Sequence, residues 1–342
     1  KTAKVRLRVD GLCVTLSEIP RGLHDQLVTR VKVLAQLDVT ERRLPQDGHL
    51  RFVHMSRDID VRVATLPIRD GERVSMRIAG DRTKLASLDQ LRMDPGALAL
   101  LRDAVTRPHG LVLATGPVGS GKTTTLYACI QELDRERLHI ATIEDPVEIV
   151  LDGASQVEVN YETGLDFVTG LRALMRHDAD ALLLGEIRDA ETAMIALRAS
   201  LAGRMVFSTL HANSSVAAVS ALRHFGAPSH VIASSLQAVV AQRLVRRVCD
   251  ACCSPTAGDG DSSVTAVGCE ICHGTGYRGR LAVFEVLRLD DDLRDMILEG
   301  ASERAMRVYA IEHGLRTLHE DALAKVAAGL TTHAELDRVL RA

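Results

Sequence analysis

Residues 111–126, LVLATGPVGSGKTTTL, carry the densest chemistry in the chain. Gly116, Gly121, Lys122 and Thr123 satisfy the spacing G-x-x-x-x-G-K-[ST] of a phosphate-binding loop. The whole loop reads Gly116, Pro117, Val118, Gly119, Ser120, Gly121, Lys122, Thr123, with Thr124 next. Glycines let successive backbone N–H groups curve around a phosphate with no Cβ in the way. The following helix adds partial positive charge at its N-terminus. Lys122 is spaced to reach the β and γ phosphates of a nucleotide, and the Thr123 hydroxyl to sit on Mg²⁺. The plain alternative is a glycine turn between strand and helix. The apolar run Leu111–Thr115 and a helix beginning near Lys122 supply the context that the motif requires.

Three polar clusters follow later strands. TIEDPVE (142–148) carries Glu144, Asp145 and Glu148; GEIRD (185–189) carries Glu186; STLHAN (208–213) carries His211 and Asn213. Carboxylates beside a phosphate loop suit metal coordination and activation of a water. Each cluster alone could be a set of helix caps. Their shared position after successive strands favours chemistry, since ligands in parallel sheets bind beyond the carboxyl ends of the strands.

Cys249 and Cys252 form one C-x-x-C pair and Cys269 and Cys272 another, with sixteen residues between the pairs. This is the spacing of a four-thiolate zinc site, closed and structural because no coordination position stays open for water. Free cysteines in a loop, or a redox pair, are the alternatives. Cys253 falls outside the pattern, as an idle neighbour or a substitute ligand.

The elements that must position these residues alternate. Strands are predicted at Leu111–Thr115, His139–Ile143, Ala181–Leu184 and Met205–Thr209, and helices at Ala97–Val105, Lys122–Leu133, Asp166–Arg176, Ala190–Ala202, Ser214–His224 and His230–Val245. The pattern predicts an α/β fold with a mainly parallel sheet covered on both faces. Residues 290–342 read as short amphipathic helices punctuated at Gly300, Gly314 and Gly329. Residues 1–84 read as a smaller α+β module: Val5–Val9, Leu50–His54, Ile59–Thr65 and Arg73–Ile78 as strands, and Leu23–Leu37 as a helix. Asp60–Ile78 resembles a hairpin with a somewhat long connection around Asp70-Gly71. It carries Arg62 and Arg77, which on the residues alone read as solvated strand arginines. The polar stretch 80–96 reads as a linker, which places the phosphate-loop domain at 97–342 and the linker proper at 85–96.

Bulk composition narrows the classes. The chain has 342 residues, 46% hydrophobic and 25% charged, as globular domains have. A net charge of −3 gives no basic surface for nucleic acid, and with no Trp, four Tyr and five Phe there is little to stack bases. No apolar run of membrane-spanning length and no signal peptide is visible. The chain starts at Lys1 rather than Met and reads as part of something longer.

Taken together the motifs resemble the secretion ATPases of type II secretion and type IV pilus assembly. In family order the chain has RLPQDG (43–48), DVRV (60–63), GERVSMR (71–77), the phosphate loop, TIEDPVE, GEIRD, STLHAN, both C-x-x-C pairs and GYRGR (276–280). The resemblance implies a RecA-like phosphate-loop NTPase domain preceded by a PAS-like module. It implies a homo-hexamer that hydrolyses ATP with Mg²⁺ and holds Zn²⁺. It further implies inner-membrane platform and cytoplasmic-domain partners, no nucleic acid, and a place in the cytoplasm at the inner membrane face. Carried over by position, Glu148 is the general base, Glu186 the carboxylate near Mg²⁺ and water, His211 the histidine-box residue, and Arg62 and Arg77 lie near the γ phosphate. The four cysteines favour the assembly or secretion branch over retraction. The chain departs from the family at Arg204, where histidine is usual, at Ala212, where threonine is common, and at RHDAD (176–180). A phosphotransferase would need an acceptor pocket and lid, for which no insert follows the loop. A non-hydrolysing scaffold would have no need of Glu148 and Glu186.

Overall fold

The computed structural model describes residues 2–78, 85–255 and 264–340. The chain divides into two compact units, Lys1–Lys84 and Leu85–Ala342.

In the first unit, β1 (Thr2–Val9) and β2 (Leu12–Pro20) form an antiparallel hairpin around Asp10-Gly11. Helix α1 (Arg21–Leu34) leads to an antiparallel sheet of β3 (Gln46–His54), β4 (Arg57–Ile68) and β5 (Gly71–Ile78). Strand β2 has no counterpart among the predicted strands; all of it but Leu12 and Ile19 is exposed, so no buried stripe marks it. The expected long connection between β4 and β5 is instead a two-residue turn, because pairing continues to Ile68 opposite Gly71. A small core gathers Ala35, Val61 and Val63. Beside it Lys32, fully buried, pairs with Glu72 at 2.5 Å and donates to the Glu41 carbonyl at 2.7 Å.

The second unit begins inside the stretch expected as a linker. Leu88 and Met93 are buried there, and Asp94 caps the next helix by accepting from Gly96 N and Ala97 N at 3.0 and 3.3 Å. Residues 80–84 of that stretch lie outside the described residues. The elements that follow are α2 (Pro95–Val105), β6 (Gly110–Thr115), α3 (Lys122–Gln131), β7 (Ile140–Glu144), β8 (Ala154–Glu158), α4 (Phe167–Leu174), β9 (Ala181–Leu184), α5 (Ala190–Leu201), β10 (Met205–Leu210), α6 (Ala217–His224), α7 (Ser229–Ser235) and β11 (Leu236–Val248). Then come β12 (Cys253–Pro255), β13 (Val264–Ala266), β14 (Tyr277–Arg288) and the helices α8 (Asp291–Leu298), α9 (Glu303–Glu312), α10 (Leu318–Ala327) and α11 (His333–Leu340).

A seven-stranded sheet in the order β14-β11-β6-β10-β9-β7-β8 organises the unit, parallel except for β14. Strands β6, β9 and β10 are buried on both faces, which is why they read as continuous apolar runs. On β6, Leu111 and Leu113 face the helices of the α4–α9 side, while Val112 and Ala114 face α2 and α3.

The helix expected over His230–Val245 is a correction: the chain is helical only to Ser235, then runs as β11. The segment LQAVVAQRLVRRV pairs with β6 on one side and β14 on the other. A strand buried on both faces loses its period-two signature and passes for a buried helix. For the same reason β14 escaped prediction.

Helices α10 and α11 cover β11 and β14 through Ala241, Val245, Val283, Leu318, Ala322 and Leu336. Their polar anchor is Glu335, whose carboxylate accepts from Arg246 N at 2.9 Å, from Arg246 Nε at 3.0 Å and from Arg338 Nε at 2.8 Å. Burial alone would raise this carboxyl; the two arginines outweigh burial and hold it at about 2, below 4.5. A depressed carboxylate stabilises the fold above its unfolded value and loses that contribution as the pH falls through 4.5 toward 2. Chemical denaturation from pH 7 to pH 2.5 should therefore show an acid-dependent loss of up to about 3 kcal/mol in the parent. Glu335→Gln should be less stable at neutral pH and lack that part of the slope. Identical slopes would remove the assignment.

Candidate nucleotide site and metal centre

The phosphate loop leaves the end of β6 and enters α3 at Lys122. Gly119 (φ 77°) and Gly121 (φ 89°) adopt left-handed backbone that glycine favours. Gly116 is required for a second reason: a Cβ there would lie 2.4 Å from Gln242 O and 2.7 Å from Ser120 Oγ. Lys122 is buried and donates from Nζ to Gly116 O at 2.8 Å and Pro117 O at 3.1 Å. Its burial lowers the ammonium pKa; the Glu186 charge opposes that and the Arg243 charge adds to it. Ser120 Oγ is buried with no hydrogen-bond partner among the described residues, as a hydroxyl reserved for an anion would be. Val118 stands exposed at the tip, and Thr123 and Thr124 occupy the first turn of α3.

The polar clusters sit where the sheet places them, beyond the carboxyl ends of β7, β9 and β10. They are not equivalent. Glu144 is buried and held by three donors: the Tyr127 hydroxyl, Thr142 Oγ1 at 2.7 Å and Gln156 Nε2 at 3.2 Å. Burial and the Glu144 carboxylate push the Tyr127 phenol well above its usual range. Glu148 is exposed on the loop after β7, within electrostatic reach of Tyr127. That loop is fixed from β8, where Glu158 accepts from Val147 N at 3.0 Å and Gln156 accepts from Leu151 N at 2.7 Å.

Glu186 is half-buried. One carboxylate oxygen pairs with Arg188, and the other lies 3.6 Å from His211 Nε2. The structure thus gathers Lys122, Glu186 and His211 at one edge. Ser208 Oγ and Thr209 Oγ1 bond Leu184 O and Gly185 O at 2.9 and 2.8 Å, which locks the β9 and β10 ends together. Thr115 Oγ1 donates to Ala212 O at 2.9 Å and accepts from Ala212 N at 2.8 Å. Arg204 lies at the far end of β10 and serves the fold, with Nε and Nη2 donating to Ala179 O and Met175 O at 3.1 and 3.2 Å.

Arg62 and Arg77 belong to the other unit, where they are direct cross-strand partners on β4 and β5. Like charges so paired are unfavourable on their own. Their placement on one face suits an anion.

Sequence reasoning missed Gln242. Its Nε2 donates to Ser120 O at 2.8 Å and its Oε1 accepts from Thr125 Oγ1 at 2.7 Å, so one buried amide clamps the loop and the helix behind it. Nothing marked it, because residues 236–248 passed for helix.

The four cysteines converge. All Sγ atoms of Cys249, Cys252, Cys269 and Cys272 lie within 4.8 Å of one another, with separations of 3.7, 3.8 and 3.9 Å among them. Thiolates about 2.3 Å from a tetrahedral Zn²⁺ stand about 3.8 Å apart. The donor set therefore fits zinc and is far too open for disulfides. Cys272 Sγ accepts from Cys269 N at 3.1 Å and Gly276 N at 3.2 Å. Burial would raise this thiol, but those N–H groups and the neighbouring thiols bring it down to about 6. Cys253 points to Asp250 O and stands outside the cluster. Metal analysis of protein purified without chelator should find about one zinc per chain, bound as structural sites bind it. Cys272→Ser should abolish that zinc and loosen the knuckle before ATP turnover falls. Zinc far below one per chain would count against the site.

The whole chain can now be set beside known proteins. The family described as "Type II/IV secretion system protein" matches residues 1–338. Type II secretion system protein HxcR of Pseudomonas aeruginosa is 45% identical over 337 residues, covering 98% of this chain and 71% of that protein. Type II secretion system ATPase E of Vibrio cholerae is 42% identical over 354 residues, covering 100% of this chain and 70% of its own. Among solved structures, the ATPase DotB of Yersinia pseudotuberculosis superposes with a TM-score of 0.74 at 19% identity, covering 97% of this chain and 86% of that one. The pilus retraction motor PilT with bound ADP superposes at 0.65 and 24% identity, covering 97% and 89%. Both structures speak to the fold, while the near relatives and the family match speak to descent. The chain belongs to the type II/IV secretion system protein family, the secretion ATPases.

Proposed function

We propose that the protein is a Mg²⁺-dependent ATPase working as a homo-hexameric ring that drives pseudopilus assembly in type II secretion. Relatives at 45% and 42% identity bear type II secretion names, which supports this over pilus assembly. The observation that carries the reading is a complete phosphate loop at the end of β6 with Glu186 beyond the end of β9, at the same edge of the sheet, where its charge acts on Lys122. Lys122 neutralises charge on the transferred phosphoryl group, and the loop N–H groups hold the other phosphates. Thr123 and Glu186 are the residues to hold Mg²⁺, which would supply charge neutralisation at the phosphate oxygens. Glu148 polarises the attacking water, and His211 orients Glu186. Arg62 and Arg77 act on the γ phosphate and so link hydrolysis to movement of the N-terminal module. Partners are inner-membrane platform and cytoplasmic-domain proteins, with no nucleic acid. The ring works in the cytoplasm at the inner membrane face, through those partners; no helix among the described residues is long and apolar enough to cross a membrane.

Three measurements test these roles. ATP should turn over without any added acceptor, which a phosphotransferase would need. Glu148→Gln should still bind ATP but hydrolyse it about 10²–10⁴-fold more slowly, as loss of a general base does. Glu186→Gln should slow turnover and shift the Mg²⁺ requirement. A normal Glu148→Gln beside an inactive Glu186→Gln would exchange the two roles.

Arg62→Ala and Arg77→Ala should each slow turnover, by as much as about 10³-fold if they act as arginine fingers, with ATP affinity far less affected. Parent-like turnover in both variants, in assembled protein, would make these arginines bystanders.

A further inference from the structure

The carboxyl end of β11 forms an edge of the site that no motif covers. Register places Ala241 opposite Thr115, so Gln242 and Arg243 run beside the start of the phosphate loop. Arg243 is half-buried. Its Nη1 donates to Gln242 O at 3.0 Å and its Nη2 to Asn213 O at 3.1 Å. Nη1 also lies 3.1 Å from the point a Cβ on Gly116 would occupy. The guanidinium therefore bridges the β11 end and the residue two after His211, and it does so beside the loop start.

Its charge is poorly matched by the protein. Among the described residues no carboxylate forms an ion pair with Arg243 or with Lys122, and both donate only to main-chain carbonyls. Burial lowers the pKa of both cations and the Arg243 charge lowers Lys122 further, while the charges of Glu186 on Lys122 and of Glu285 on Arg243 act the other way. Two cations and the unpartnered Ser120 hydroxyl thus flank one loop. Such an arrangement stores unfavourable charge that an anion at the loop would relieve.

We propose that Arg243 is a positioning residue of the nucleotide site: beside the loop start it ties the β11 end to Asn213, and with Lys122 supplies the positive charge that the nucleotide's phosphates meet. This rests on the phosphate-loop assignment above. The fork matters as well as the charge, because one planar guanidinium reaches both carbonyls and a lysine ammonium does not.

The test compares the parent with Arg243→Met, Arg243→Lys and Lys122→Ala as full chains. ATP and adenosine binding are measured by calorimetry and turnover by phosphate release, with melting temperature as the fold control. Arg243→Met should weaken ATP binding about tenfold or more while leaving adenosine binding unchanged. Arg243→Lys should recover much of the ATP affinity yet keep kcat about fivefold or more below the parent, since the bridge to Asn213 is lost. If Arg243→Met does not fold, the split between affinity and kcat in Arg243→Lys decides alone. An Arg243→Met protein that binds ATP within about twofold of the parent, beside a Lys122→Ala protein that does not, overturns the proposal. Arg243→Lys equal to the parent in both affinity and kcat overturns the positioning role. Lys122→Ala with parent-like ATP binding would instead overturn the phosphate-loop assignment, and this inference with it.

Discussion

The close approach of β11 to the phosphate loop is the constraint on which the nucleotide edge depends. The Gln242 carbonyl fills the space a side chain at 116 would need. The Gln242 amide takes the Ser120 carbonyl, and Lys122 takes those of Gly116 and Pro117. With its carbonyls engaged from the protein side, the loop can turn its N–H groups outward as a positive concavity. The glycines are therefore half of the device; the other half is a neighbouring strand that holds them in place.

Strand β11 and its antiparallel partner β14 also carry the helical C-terminus. Buried carboxylates on and beside β14 are each met by specific donors. Glu285 accepts from Ser215 N at 2.8 Å and Ser215 Oγ at 2.6 Å. Asp321 accepts from Phe284 N at 2.8 Å and pairs with the buried Lys325. Buried charges of this kind tolerate no loss of a partner. They join the segment after the histidine box, the edge strand and α10 into one block, alongside the apolar contacts of Leu281, Val283, Leu318 and Ala322.

Much of the site was legible because its chemistry is local in sequence. The phosphate loop, GEIRD, STLHAN and the cysteine pairs each announce themselves within eight residues, and strand ends deliver them to one edge. What escaped was held by pairing across long sequence distances. Residues 236–248 are buried or half-buried on both faces, so no period-two alternation separated strand from helix, and Gln242 and Arg243 were hidden with them. Strand β8 is short and half-exposed, yet its Gln156 and Glu158 hold the acidic loop. Leu88 and Met93 looked like isolated apolar residues in a polar linker, because burial against distant helices leaves no local mark. Arg204 shows the reverse case: a departure from the family pattern that the fold absorbs through two carbonyls.

The hydroxyl of Tyr127 lies under the acidic loop with its proton directed at Glu144. The chain has four tyrosines and no tryptophan, so its emission on excitation near the phenol absorption maximum comes from tyrosine. A phenol hydrogen-bonded to a carboxylate is strongly quenched. Any rearrangement that draws Glu144 away from Tyr127 would brighten the protein. The aliphatic core thus leaves a native optical signal at the nucleotide edge, readable without a label.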